Sequence, residues 1–72
     1  MKIFKANDIH KKVIVPAHID YLYPWDIFRW RSTVTDPGIR VQMVGHEIEL
    51  RYESEYERDQ DYNNLIKLME EA

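Results

Sequence analysis

From Phe28 to Glu53, apolar and polar residues largely alternate, the period of 2 expected of half-buried strands. The pattern predicts strands over about 28–34, 39–44 and 47–53. Between the last two, Gly45-His46 suits a two-residue type II′ hairpin loop with Gly at its first central position. That loop sets Val44 opposite Glu47, Met43 opposite Ile48, Val41 opposite Leu50 and Ile39 opposite Tyr52, which gathers the apolar residues on one side. The earlier connection, Thr35-Asp36-Pro37-Gly38, carries turn residues. Treated as a four-residue loop, it sets Val34 opposite Ile39, Ser32 opposite Val41 and Trp30 opposite Met43. The expected core face is then Phe28, Trp30, Val34, Ile39, Val41, Met43, Ile48, Leu50 and Tyr52. Arg29, Arg31, Thr33, Arg40, Gln42, Val44, Glu47, Glu49 and Arg51 fall on the opposite face.

The period changes after Glu53. Ser54-Glu55-Tyr56-Glu57 is a capping box, in which Ser54 accepts from the Glu57 amide. Glu55, Glu57, Asp59 and Asp61 then suit the positive end of a helix dipole. Tyr62, Leu65, Ile66 and Met69 follow at i, i+3, i+4 and i+7, and Leu68 and Tyr56 widen the stripe into a face able to lie on a sheet. A helix over about 55–70 is expected, fraying at Glu70 and Glu71, whose charges oppose the dipole. Upstream, short strands are expected over 2–5 and 12–15, with Ile3, Phe4, Val13, Ile14 and Val15 partly buried. Pro16 suits the first turn of a short helix ending before Pro24, although a loop or an extended edge serves nearly as well. The predicted fold class is α+β: a small antiparallel β-meander of three to five strands packed against one C-terminal α-helix, in a single domain over residues 1–72.

With 72 residues, a 44% hydrophobic fraction and no cysteine, the core is small and has no disulfide to staple it, so self-association is a natural source of added stability. The cysteine-free composition fits a reducing cytoplasm. No run approaches the roughly 20 apolar residues that span a bilayer, and the opening Met1-Lys2-Ile3-Phe4-Lys5 lacks a long apolar run of the signal-peptide type. The net charge of −3 is unevenly spread: residues 1–46 carry seven Lys/Arg against four Asp/Glu (+3), and residues 47–72 carry three against nine (−6).

Catalytic chemistry finds little to work with. His10, His18 and His46 are too scattered for a metal motif. Ser54 is accounted for as a helix cap, and the carboxylates between Glu55 and Asp61 read as a solvated helix face. Gly38 and Gly45 are both used in turns, which leaves no phosphate-cradling loop. A non-catalytic protein with no cofactor and no metal is expected.

Two surface features remain. Arg29, Arg31, Arg40 and Arg51 share one sheet face in the deduced register, with Arg40 opposite Arg51. Such a set reads either as a solvated face neutralised by Glu47, Glu49 and Glu53 or as a site for an anion or an acidic protein. Tyr21, Tyr23 and Trp25 belong to a crowded aromatic stretch that a small core does not easily absorb, and exposed aromatics mark interfaces. Together these residues form the candidate partner-binding set of a small inhibitor, adaptor or regulator with a protein partner. A homodimer is expected, formed by the acidic helix of one copy meeting the arginines of another. Small, acidic, cysteine-free proteins of this general character are common among phage and mobile-element accessory proteins acting on host systems. The alternative is a nucleic-acid or nucleotide-binding module using the arginine face, against which stand the sequence pI of about 5.5 and the acidic helix.

Overall fold

The computed structural model describes residues 2–71. In chain order its elements are β1 (Phe4–Lys5), β2 (Val13–Ile14), a 3-10 turn at Pro16–His18, β3 (Ile19–Pro24), β4 (Ile27–Phe28), β5 (Thr35–Asp36), β6 (Gly38–Met43), β7 (His46–Arg51) and α1 (Glu55–Glu71). Antiparallel pairing joins β3, β6 and β7 into one sheet in that order, while β1–β2 and β4–β5 are two-stranded ribbons. The α+β class, with antiparallel strands followed by one C-terminal helix, is therefore as the sequence pattern predicts.

Alternation places Ile39, Val41 and Met43 of β6 and Leu50 of β7 on the inner face, joined by Leu22 of β3 and by Tyr52 just past β7. Helix α1 closes this face with Leu65 fully buried and Tyr62, Ile66, Leu68 and Met69 packed around it. Phe4, Ala6 and Ile14 complete the core from the N-terminal ribbon. Within that ribbon only alternate residues turn inward, so Ile3 and Val13, expected to be partly buried, are exposed. The Glu57 amide donates to Ser54 Oγ at 3.3 Å, the cap read from the sequence. Tyr56, by contrast, is exposed. The helix continues to Glu71, whose Oε2 lies 3.3 Å from Lys2 Nζ, a contact that offsets the unfavourable charge at that end.

The registers differ from expectation in three places. In the β6–β7 hairpin Met43 pairs with His46, Val41 with Ile48 and Ile39 with Leu50. The loop is thus Val44-Gly45, one residue earlier than predicted, and the pairing slips by two. A two-residue slip preserves which side each residue faces, so the inner set survives, but Arg40 now sits opposite Glu49 and Arg51 opposite Gly38. Gly45 has φ 83° and occupies the second central position, where a type II turn needs a positive φ.

The second difference is the strand expected over 28–34. Its place beside β6 is taken by β3, with Pro24 opposite Ile39, Leu22 opposite Val41 and Ile19 opposite Met43. Phe28, Trp30 and Val34 are consequently 67%, 85% and 50% exposed instead of buried. Third, Thr35-Asp36-Pro37-Gly38 is not a loop: Thr35 and Asp36 pair with Phe28 and Ile27, and Gly38 opens β6.

Gly38 fixes this arrangement. A Cβ there would lie 2.7 Å from Ile27 Cδ1 and 2.8 Å from the carbonyl oxygens of both Leu50 and Trp25, so only glycine lets the chains approach this closely. One polar cluster lies inside the core. The buried Tyr52 hydroxyl donates to Asp61 Oδ2 at 2.6 Å, and the same oxygen accepts from the Asn7 amide at 2.7 Å. Burial first, and the Asp61 bond second, push the Tyr52 phenol well above the ordinary tyrosine range. Asp8 is also buried: its Oδ1 accepts from the Lys12 amide at 2.9 Å, while Oδ2 has no partner among the described residues.

Candidate functional site: the outer face of the sheet

Residues facing away from α1 form a grid. Register places Tyr21, Gln42 and Glu47 in one row and Tyr23, Arg40 and Glu49 in the next. Trp25 continues the alternation, and its amide donates to the Gly38 carbonyl at 2.9 Å. Tyr21, Tyr23 and Trp25 thus run along one edge on the same side. The Tyr21 and Tyr23 rings stack with centroids 6.2 Å apart, and Tyr23 meets Trp25 edge-on at 6.1 Å. Tyr21 is 54% and Trp25 42% exposed, so the row is held in place by its own contacts while much of it faces solvent.

Arg40 locks the row to the centre of the sheet. Its guanidinium lies 4.7 Å from the Trp25 ring centroid, within cation–π range. Its Nη2 donates to Glu49 Oε1 at 3.1 Å. Its Nε is 2.9 Å from Glu47 Oε1, an ion pair in which the N–H is not aligned for a hydrogen bond.

The four arginines read as one set are distributed among three places. Arg29 grips Asp36 through Nε at 3.1 Å and Nη2 at 2.9 Å, and Arg51 Nε lies 3.8 Å from the same carboxylate. The Arg29 bond holds the Asp36 carboxyl below its ordinary range and raises Arg29 in return. Arg31 sits on the β4–β5 turn with its guanidinium 5.3 Å from the Trp30 ring centroid. Arg29 and Arg40 are therefore engaged by carboxylates of the same chain and present no free fork of the kind that binds phosphate bidentately, while Arg51 approaches Asp36 through Nε alone.

Compared with protein-family models, curated proteins and solved structures, the chain finds no match. Its chemistry has to be read from the geometry alone.

The open edge of the sheet narrows how a partner can approach. The Trp25–Gly38 bond fixes the hydrogen-bonding alternation, which turns the backbone groups of Leu22 and Pro24 toward the unpaired side of β3. Pro24 has no N–H to offer there, and a bulge lies between Ile19 and Tyr21. A bulge, the charge of Asp20 and a proline are devices that discourage strand addition. The opposite edge, along β7, is crossed by the segment before β2: the Ile9 amide donates to the Arg51 carbonyl at 2.8 Å and Lys12 Nζ to the Glu49 carbonyl at 2.7 Å. The face, rather than an edge, is the accessible part of this sheet.

Among the described residues no three His, Asp or Glu side chains gather in a metal-binding arrangement, and no helix is long and apolar enough to cross a membrane. A cavity of about 220 Å³ is lined by His10, Lys12, Ile27, Glu49 and Arg51. A larger one, about 400 Å³, is lined by Ile9, Arg29, Asp36, Arg51, Tyr52 and Glu53. The sequence reading missed Phe28, Trp30 and Val34 as surface residues. The signal was available in Ile19–Trp25, where Tyr21, Tyr23 and Trp25 alternate around Leu22. Once that stretch is accepted as a strand, β6 has its neighbour and residues 28–34 are displaced from the sheet.

Proposed function

We propose that this protein is a non-catalytic interaction module that binds a protein partner through the outer face of its three-stranded sheet, acting as an inhibitor, adaptor or regulator. The observation that carries this reading is the row Tyr21–Tyr23–Trp25, ordered by ring contacts and by Arg40, yet exposed. Exposed aromatics beside arginine are the usual composition of an interface centre, and fixing the rings beforehand reduces the entropy lost on binding. Around the row, Arg40 is offset by Glu47 and Glu49, a balance that favours a protein surface over a polyanion. A reducing cytoplasm suits the cysteine-free chain, and an accessory role in a phage or mobile element acting on a host protein is the biological setting this reading favours.

The test is affinity capture from a native lysate with wild-type protein and a Tyr21→Ala/Trp25→Ala variant, the fold of both checked by circular dichroism. A protein retained by the wild type and lost with the folded variant supports the reading. Retention of nucleic acid alone, or equal retention by both, overturns it.

A further inference from the structure

The β4–β5 hairpin is a short finger whose apolar residues have no cover among the described residues. Phe28, Trp30 and Val34 are all at least half exposed, Trp30 at 85%. At its tip the Ser32 amide donates to the Arg29 carbonyl at 3.1 Å, enclosing Trp30 and Arg31 as the central pair of a turn. Arg31 adopts φ 52°, a left-handed conformation that non-glycine residues rarely take, and in it the guanidinium lies over the indole. Among the described residues Arg31 makes no ion pair.

At the base of the same finger lies the cavity of about 400 Å³, large enough for one big side chain. Its wall includes Ile9, which is 42% exposed, and Tyr52. Of the two carboxylates lining it, Asp36 is engaged by Arg29 and Arg51. Glu53 makes no ion pair among the described residues. Among the described residues the finger thus offers an exposed indole beside a cation with no ion pair, and the cavity offers the exposed Ile9 side chain beside a carboxylate with no ion pair.

We infer that two copies of this chain associate about a two-fold axis with their β4–β5 fingers antiparallel, tip against base. Each places Trp30 against Ile9 in the cavity of the other and brings Arg31 to the other's Glu53. The finger's length suits this arrangement. Trp30 at the tip lies three residue steps beyond Ile27 at the base, about 10 Å of extended chain, so an axis through the middle of the paired fingers brings both tips to both bases. A contact that satisfies itself on both sides closes at two copies and leaves no free end to propagate. Six apolar finger residues and two cavities bury on the order of 1,000 Å², at the low end for a specific interface, so the expected dissociation constant is on the order of 10 µM. The contact does not use the acidic helix, and it leaves Arg29 and Arg51 in the cavity wall paired with Asp36.

Sedimentation of the full chain across about 1 to 500 µM brackets that affinity. The wild type should pass from the 8.8 kDa monomer to a dimer over this range. Arg31→Glu and Glu53→Arg should each weaken the dimer about tenfold or more, and the double variant, which restores opposite charges, should recover most of the loss. Trp30→Ala, a change at a solvent-exposed site that leaves the core intact, should remain monomeric, with circular dichroism confirming the fold. A wild type that stays monomeric at the highest concentration overturns the inference. So does a dimer that Trp30→Ala leaves unchanged, or a charge swap that fails to rescue two weakened single variants.

Discussion

Tyr52→Phe removes one oxygen from a fully buried ring, and the structure allows the consequence to be worked out. The hydroxyl donates to Asp61 Oδ2 at 2.6 Å, and Asp61 is only 2% exposed. A hydrogen bond to a charged group contributes about 1.5–3 kcal/mol. The variant also leaves Asp61 with the Asn7 amide as its remaining hydrogen-bond donor, so the upper half of that range is expected, about 2–3 kcal/mol. A 72-residue domain has a total stability of roughly 4–11 kcal/mol, and the loss corresponds to a Tm lowered by roughly 10 °C or more. Urea unfolding at pH 7, followed by far-UV circular dichroism, measures it as a lower midpoint with an unchanged slope. The same bond makes an alkaline prediction. The folded phenol titrates above its unfolded value near 10. Its contribution is therefore complete below pH 10 and is lost as the pH rises beyond. Wild-type stability should fall steeply above about pH 10, and Tyr52→Phe should flatten that fall. A loss under about 0.5 kcal/mol at pH 7, or an alkaline limb identical in the two proteins, would show that the Tyr52–Asp61 bond does not stabilise the fold.

Gly38→Ala should cost about 1–3 kcal/mol by overpacking, because its Cβ meets two carbonyl oxygens as well as the end of Ile27; urea unfolding reads this directly, and wild-type stability would contradict it. Arg31→Gly should raise monomer stability by about 1 kcal/mol by relieving the positive φ, an increase that thermal unfolding at low protein concentration should detect. Asp36→Asn should flatten the acid limb of the stability profile. The Asp36 carboxyl is held below its ordinary range, so its contribution is present above the usual carboxylate pKa and is lost as the pH falls through the lowered value. Trp25→Ala should abolish partner retention while leaving the circular dichroism spectrum unchanged, because its ring lies on the outer face of the sheet.

The legible parts of this chain are those where local periodicity and tertiary packing agree. Ile39, Val41, Met43 and Leu50 alternate and are buried, and the Ser54 cap with the Leu65 stripe fixes the helix. The β6–β7 slip was invisible to a face-counting argument, since moving the loop from Gly45-His46 to Val44-Gly45 exchanges no residue between faces. The strand expected over 28–34 failed for a different reason. Both Ile19–Trp25 and Phe28–Val34 alternate, and only one segment can pair with β6. Pro24 reads as the end of a short helix from Pro16, but a proline is tolerated in a strand where its missing N–H faces an open edge, as it does here. The candidate site inherited both errors. Tyr21, Tyr23, Trp25 and Arg40 do come together, whereas Arg29 and Arg51 meet at Asp36 and Arg31 stands apart on the finger. The buried role of Asp61 had no sequence signal distinguishing it from the other acids of the first helical turns.

Docking of a partner on the outer sheet face can be followed residue by residue, by mapping amide and indole chemical shifts of the labelled protein as the captured partner is added. The largest changes should fall at Tyr21, Tyr23, Arg40 and the Trp25 indole N–H, with α1 little affected. Changes concentrated on the exposed side of α1, with the aromatic row unmoved, would contradict docking on that face.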